Sequence, residues 1–319
     1  MNSHHKTETI QIQINHVGID VSKLHLDVSI ADMKNQRFDN TAHGIHKLLK
    51  KIAQFPNTRV TCEATGGYEQ LLVESMHKAD IPVAVAAPGR VRHLALAEGL
   101  IAKTDSIDAE LIRRFAEKIP IHLRQELDPQ IIRLREITDM RRILTDDITQ
   151  TKNRLELAKG YKKELLLEQL EQLKTLKKKV EADLQNHLKQ AKELAQKAER
   201  LQQLKGVGPT LAVTILSQLP EIGRVGDKTI ACIVGVAPHP KQSGNYRGKS
   251  SIRGGRANVR HVLYMAAVAA ARYNPILSSF YQRLRLSGKT AKVAIVAVMR
   301  KMLCVLNKLM ANPQFSLAN

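Results

Sequence analysis

The stretch Val17-Gly18-Ile19-Asp20-Val21-Ser22-Lys23 ends a short apolar run in an acid. The run reads as a strand, which puts Asp20 at a strand end. Cys62-Glu63-Ala64-Thr65-Gly66-Gly67 repeats the pattern with Glu63, and Lys103-Thr104-Asp105-Ser106-Ile107-Asp108 opens a helical stretch with two acids. Asp105 and Asp108, three apart, share one helix face. Taken singly, each acid has a plainer role: Asp20 closes a turn before Ser22, and Asp105 and Asp108 favour the positive end of a helix. Taken together, four carboxylates around one site repel one another unless cations neutralise them. Strand ends and a helix start can deliver them jointly to hard divalent cations, which prefer oxygen ligands.

Around these acids, residues 1–125 read as α/β. Ile10 to Ile14 alternates, Leu24 to Ile30 and Gln36 to Asn40 read as strands, and Ile45, Leu48, Leu49 and Ile52 form one helical stripe. A strand ending at Glu63, a helix through Leu71 to Met76, a strand at Val83 to Ala86 and helices at Gly89 to Glu98 and Ser106 to Glu117 follow. The order β-β-β-α-β-α-β-α suits a mixed sheet flanked by helices, as in ribonuclease-H-like folds. Residues 126–200 carry Leu166, Leu170, Leu173, Leu176, Val180, Leu184 and Leu188 at threes and fours, a coiled-coil-like seam with Gly160-Tyr161 breaking two long helices. These leucines are packing surface, and a dimer or an internal hairpin buries them equally well.

The chain is basic, and unevenly so. Its formal net charge is +20 over 319 residues, and from Leu201 onward 17 Lys and Arg face only Glu221 and Asp227. No acid follows Asp227. A one-sided field of this kind favours a polyanionic partner, nucleic acid ahead of anionic membrane; a basic face kept for solubility is the alternative. Trp is absent and aromatics make up 3%, so backbone contacts suit this chain better than base stacking. Three scattered cysteines, Cys62, Cys232 and Cys304, argue against a disulfide scaffold or zinc site and fit a cytoplasmic protein. The longest apolar run, Val262 to Ala271, is half the ~20 residues of a membrane span. In so basic a chain the acidic cluster points to metal-assisted chemistry on phosphodiesters.

Residues 201–319 read as a compact, mainly helical basic module. Leu204-Lys205-Gly206-Val207-Gly208-Pro209 fits a helix-hairpin-helix turn, in which Gly206 and Gly208 let backbone amides approach a phosphate; an ordinary interhelical turn fits as well. A Gly- and Arg-rich loop follows, with Ser243 among Lys241, Arg247 and Lys249, continuing through Arg253 and Arg256. A serine attacking a phosphodiester needs such cations to hold transition-state charge. A loop serine that merely caps a turn is the plainer alternative, and Ser250 and Ser251 are further candidates.

The set Gly-Ile-Asp-Val-Ser-Lys, Glu-Ala-Thr-Gly-Gly-Tyr, Lys-Thr-Asp-x-x-Asp-Ala, then Gly-Val-Ala-Pro with Gln-Ser-Gly downstream resembles the DEDD transposases of insertion sequences and the related Piv-type pilin-gene DNA invertases. The resemblance runs over almost the whole chain and implies a RuvC-like domain, a helical insertion and a carboxy-terminal transposase domain. It implies Asp20, Glu63, Asp105 and Asp108 as a metal-binding tetrad for Mg²⁺, two ions being expected, and Ser243 as the nucleophile joined to DNA. It also implies a structured non-coding guide RNA. The expectation is therefore a nucleoid-associated cytoplasmic transposase acting on element ends and target DNA. Recombination holds two DNA segments together, so a homodimer or homotetramer is expected, assembled partly through the long helices. A site-specific invertase, a junction resolvase and a non-catalytic architectural DNA-binding protein are the alternatives.

Overall fold

Strand β1 (Asn15–Val21) is central in a five-stranded sheet. It pairs antiparallel with β2 (His25–Ile30), which pairs antiparallel with β3 (Gln36–Asp39); on its other side it runs parallel to β4 (Thr58–Glu63), and β4 runs parallel to β5 (Val83–Ala86). The order is β3-β2-β1-β4-β5. This computed structural model describes residues 14–100, 105–126, 128–243 and 246–317, without the side chains of 105–107, 241–243, 246, 247 and 249. The Ile10 to Ile14 alternation lies outside the described residues except for its last member, as do Lys103, Thr104, Gly244 and Asn245.

The chain divides into two compact units, Met1–Glu126 and Leu127–Asn319. In the first, Val17, Ile19 and Val21 share a core with Val60 and Cys62 and with Ile45, Leu48 and Ile52 of α1 (Ala42–Ile52) and Leu72 and Met76 of α2 (Gln70–Lys78). The opposite face is covered by α3 (Pro88–Ala97) and α4 (Asp105–Lys118), where Val91, Ala95, Ile112 and Phe115 pack with Ala86. Gly18 explains how closely α4 seats: a Cβ built there would lie 2.3 Å from the Ala109 carbonyl oxygen and 2.3 Å from the Arg113 nitrogen.

In the second unit, α5 (Pro129–Glu156) and α6 (Gly160–Gln190) form an antiparallel hairpin, and a ring nitrogen of His187, near the end of α6, meets the Gln130 carbonyl at the start of α5. Gly160 turns the chain between them at φ +53°. The leucine seam is only partly closed: Leu170 and Leu184 are buried, whereas Leu176 is exposed. The helix also stops at Gln190, and α7 (Lys192–Gln202) begins anew after Ala191. Beyond it come α8 (Pro209–Gln218), α9 (Asp227–Val234), a hairpin of β6 (His239–Ser243) and β7 (Tyr246–Ser251), then α10 (Ala257–Tyr273), α11 (Pro275–Leu286) and α12 (Ala291–Ala311). The segment read as a loop is thus largely a β-hairpin, held by main-chain pairing that a Gly- and Ser-rich sequence does not advertise. Leu134, Ile137 and Leu184 of the long helices share one core with Leu211, Leu263 and Leu303, so these helices and the basic segment fold together.

The entry to α10 is fixed by an ion pair. Arg256 donates to both Glu221 carboxylate oxygens at 2.6 Å and to the Gln218 carbonyl at 2.9 Å. Burial works against the charge on Glu221, but the Arg256 hydrogen bonds outweigh it and hold the carboxyl below its ordinary range.

Two stability predictions follow from these contacts. Gly18→Ala forces α4 off the sheet and destabilises the first unit by about 1–3 kcal/mol, read as earlier loss of its amide protection in hydrogen exchange. Arg256→Met removes charge-assisted hydrogen bonds and destabilises the second unit by about 1–3 kcal/mol in urea titration at neutral pH. The folded carboxyl of Glu221 is depressed, so its contribution is present above the ordinary carboxylate pKa of about 4.3 and fades as pH falls through the folded value. The difference between wild type and Arg256→Met therefore narrows in acid.

Candidate active site

Alternation along β1 decides which acids can meet. Val17, Ile19 and Val21 point to α1 and α2, so His16, Gly18 and Asp20 point to the face under α4. Ile19 is registered with Cys62, and one further step on parallel strands brings Asp20 level with Glu63. Glu63 is registered with Ala86, which packs against α3 and α4, so both acids lie on the same side. Both are partly buried.

The direction of α4 completes the geometry. His16 feels the charges of Glu117 and Arg113, and Gly18 abuts Arg113 and Ala109. Two strand residues advance about 6.6 Å and four helix residues about 6 Å, so the two elements stay in step while running oppositely. Continuing that ladder, Asp20 stands at the level of the first turn of α4, residues 105–109. Asp108 is half-buried there, and the side chain of Asp105 lies outside the described residues. Asp20 and Glu63 are thus brought to one level of the sheet beneath the helix start that carries Asp105 and Asp108. Among the described residues no three His, Cys, Asp or Glu side chains form a ready metal cage.

Asp20, Glu63 and Asp108 offer oxygen donors at this end of the sheet, and His25 at the start of β2 stands 3.6 Å from Asp39 on β3. Cys62, adjacent to Glu63, faces the opposite core, and burial pushes its thiol up to about 12. It offers no soft ligand, and carboxylates suit Mg²⁺.

Two residues here escaped the sequence. Glu69 is buried and accepts hydrogen bonds from the Thr65 hydroxyl at 2.8 Å, the Gly67 nitrogen at 2.9 Å and the Thr65 nitrogen at 3.2 Å. Burial disfavours its charge, but the hydrogen bonds prevail and keep its pKa below the ordinary value. Glu69 thereby shapes the Glu-Ala-Thr-Gly-Gly turn that leaves Glu63. Asp27 is the second: it is registered directly opposite Asp20 on β2 and is held by Arg37 from β3.

In the second unit, Ser243 is the last residue of β6 and is registered with Tyr246. Its side chain, like those of Lys241, Arg247 and Lys249, lies outside the described residues. Ser250, Ser251 and Arg253 are exposed. Ile252, directly after β7, enters the wall of a cleft of about 530 Å³ also lined by Arg142, Asp146, Arg260, His261 and Lys292, with Arg142 paired to Asp146 at 3.3 Å. Of its cations, Arg260 and Lys292 come from the stretch after Asp227 that carries no acid. Arg256, expected as a nucleic-acid contact, is paired with Glu221 while its side chain stays 36% exposed. At the turn before α8, Lys205 is exposed and Gly206 is half-buried against α10, where a Cβ would lie 2.6 Å from that of Ala270. Gly208 remains open at the start of α8.

Comparison with known proteins covers both units. A transposase family model of the DEDD, IS110 type matches residues 17–158, and a second, described as transposase of the IS116/IS110/IS902 family, matches residues 198–282. The pilin gene-inverting proteins of Moraxella bovis and Moraxella lacunata are each 26% identical over 302 residues, covering 91% of this chain and 94% of theirs. An uncharacterised 43.6 kDa protein of insertion element IS110 from Streptomyces coelicolor is 28% identical over 123 residues, covering 36% of this chain and 29% of that protein. The chain belongs to the DEDD transposase family of IS110-type insertion elements.

Proposed function

We propose that this protein is a Mg²⁺-dependent DNA recombinase that cuts and rejoins strands for the mobility of an insertion element. The observation that carries the proposal is the shared level of Asp20, Glu63 and the first turn of α4 on one face of the sheet. The sheet order, with β1 antiparallel to β2 and parallel to β4, supports a ribonuclease-H-like, RuvC-like reading of this unit. Asp20, Glu63, Asp105 and Asp108 would hold the ions. Bound Mg²⁺ supplies charge neutralisation at a scissile phosphate and polarises its oxygens. The carboxylates hold that charge in place, and Glu69 keeps the turn beyond Glu63 in one shape.

Ser243 is proposed as the nucleophile. Its hydroxyl oxygen forms a bond to phosphorus, the bond from phosphorus to one deoxyribose oxygen breaks, and the serine proton is lost as that leaving oxygen gains one. Attack by a deoxyribose hydroxyl of another strand reverses the steps and restores the serine. Lys241, Arg247, Lys249 and Arg253 stand close along the chain to steady the phosphate, and Lys205 and Gly208 offer a second contact with the backbone. The guide RNA that the family resemblance implies is compatible with the +15 surplus after residue 200 (17 basic, two acidic). The exposed Leu157, Tyr161 and Leu176 of the long helical hairpin support self-association.

The match over nine tenths of the chain to pilin gene-inverting proteins favours a second reading, inversion between fixed sites. A plasmid assay with element ends, scored for insertion against inversion products, separates the two.

Asp105→Asn should lower Mg²⁺-dependent cleavage by at least about a hundredfold while DNA binding in a gel-shift assay stays within about twofold. Normal recombination by this variant would remove the metal site from the mechanism. Ser243→Ala should abolish the protein–DNA adduct on a denaturing gel; an adduct that persists moves the nucleophile elsewhere. Binding without metal and without any cleavage by the wild type would instead mark an architectural protein.

A further inference from the structure

The same level of the sheet that carries Asp20 and Glu63 extends across two more strands. Asp20 is registered with Asp27 on β2, and Asp27 with Arg37 on β3. Directly opposed residues on antiparallel strands face the same way with Cα atoms about 4.5–5.5 Å apart, so the carboxylates of Asp20 and Asp27 emerge side by side. Asp27 is largely covered, its side chain 14% exposed. Two such neighbours repel, and a third carboxylate from Glu63 deepens the repulsion.

Arg37 answers it. Its Nε donates to one oxygen of Asp27 at 2.9 Å and its terminal nitrogen to the other at 3.0 Å, a bidentate clasp across β2 and β3. Both carboxylate oxygens of Asp27 are thereby engaged in the plane of a guanidinium.

We propose that the Asp27–Arg37 pair is a positioning device for the metal site, resting on the tetrad reading above. Arg37 keeps Asp27 from becoming a fifth ligand beside Asp20, and Asp27 keeps the Arg37 charge from weakening cation binding. The pair sets how strongly the site holds its ions, and neither member touches the reacting atoms. Arg37 is half-exposed on an edge strand, so its replacement leaves the core of the unit intact.

The two members should therefore act with opposite signs. Calorimetric titration of the full chain with Mg²⁺, and separately with Ca²⁺, reads this without recourse to activity. Arg37→Met frees Asp27 and tightens binding about tenfold, more for Ca²⁺, which accepts more oxygens than Mg²⁺. Asp27→Asn takes a carboxylate away from the Arg37 guanidinium beside the site and weakens binding about tenfold. The double variant returns to within about twofold of wild type. A merely structural pair would weaken binding in both single variants without restoration in the double one, and that pattern overturns the proposal, as does no change in any variant. Wild type and Asp20→Asn with the same absence of binding heat would overturn the tetrad reading itself, and the pair's role with it. Circular dichroism of each variant establishes that its fold is retained, and Arg37→Gln stands in should Arg37→Met prove unfolded.

Discussion

The seating of α4 in the first unit, and with it the candidate site, is placed by the contact of a helix backbone with a strand backbone at Gly18. With no side chain between them, β1 and α4 lie close enough that any Cβ would strike the Ala109 carbonyl. Close seating fixes the helix in one register, because sliding it by a residue would turn a bulkier side chain into the gap. That register, in turn, decides that the start of α4 reaches the end of β1 where Asp20 emerges. A hydrophobic contact would have allowed slippage; a backbone contact does not.

The acids were legible because each sits next to a feature that strand and helix patterns reveal. Asp20 and Glu63 end apolar runs, and Asp105 and Asp108 open a helix with the spacing of one face. Asp27 was not legible, since nothing in His25-Leu26-Asp27-Val28 says which residue it opposes; that depends on the turn at Ser22, where the hydroxyl and the backbone nitrogen both bond the His25 carbonyl at 2.9 Å. Glu69 was hidden for a related reason, because its role is to accept hydrogen bonds from a turn whose shape depends on Gly66 and Gly67 at positive φ.

In the second unit the sequence displayed charge better than shape. The one-sided excess of Lys and Arg was plain, yet which cations are paired was not. Arg256 finds Glu221 35 residues earlier, a pairing set by tertiary structure. The strands β6 and β7 lack the alternation that announces a half-buried strand. The halt of α6 at Gln190 occurs without Gly or Pro, at an alanine whose small side chain fits beneath its neighbours. Regular patterns reveal helices and core strands; polar hairpins and breaks chosen by packing stay silent.

The α5–α6 hairpin has a mechanical consequence. A helix the length of α6 extends about 46 Å at 1.5 Å per residue, and its packing into the unit is concentrated near one end, around Leu134, Ile137 and Leu184. Such an arm amplifies small rotations: tilting by ten degrees at the base carries the far tip about 8 Å. Leu157 and Tyr161, both exposed at that tip, therefore sweep a wide arc for little disturbance of the core, and whatever they grip is registered as firmly as Leu134, Ile137 and Leu184, with the hydrogen bonds of Arg135 and Thr138 to Ser217, hold the pivot.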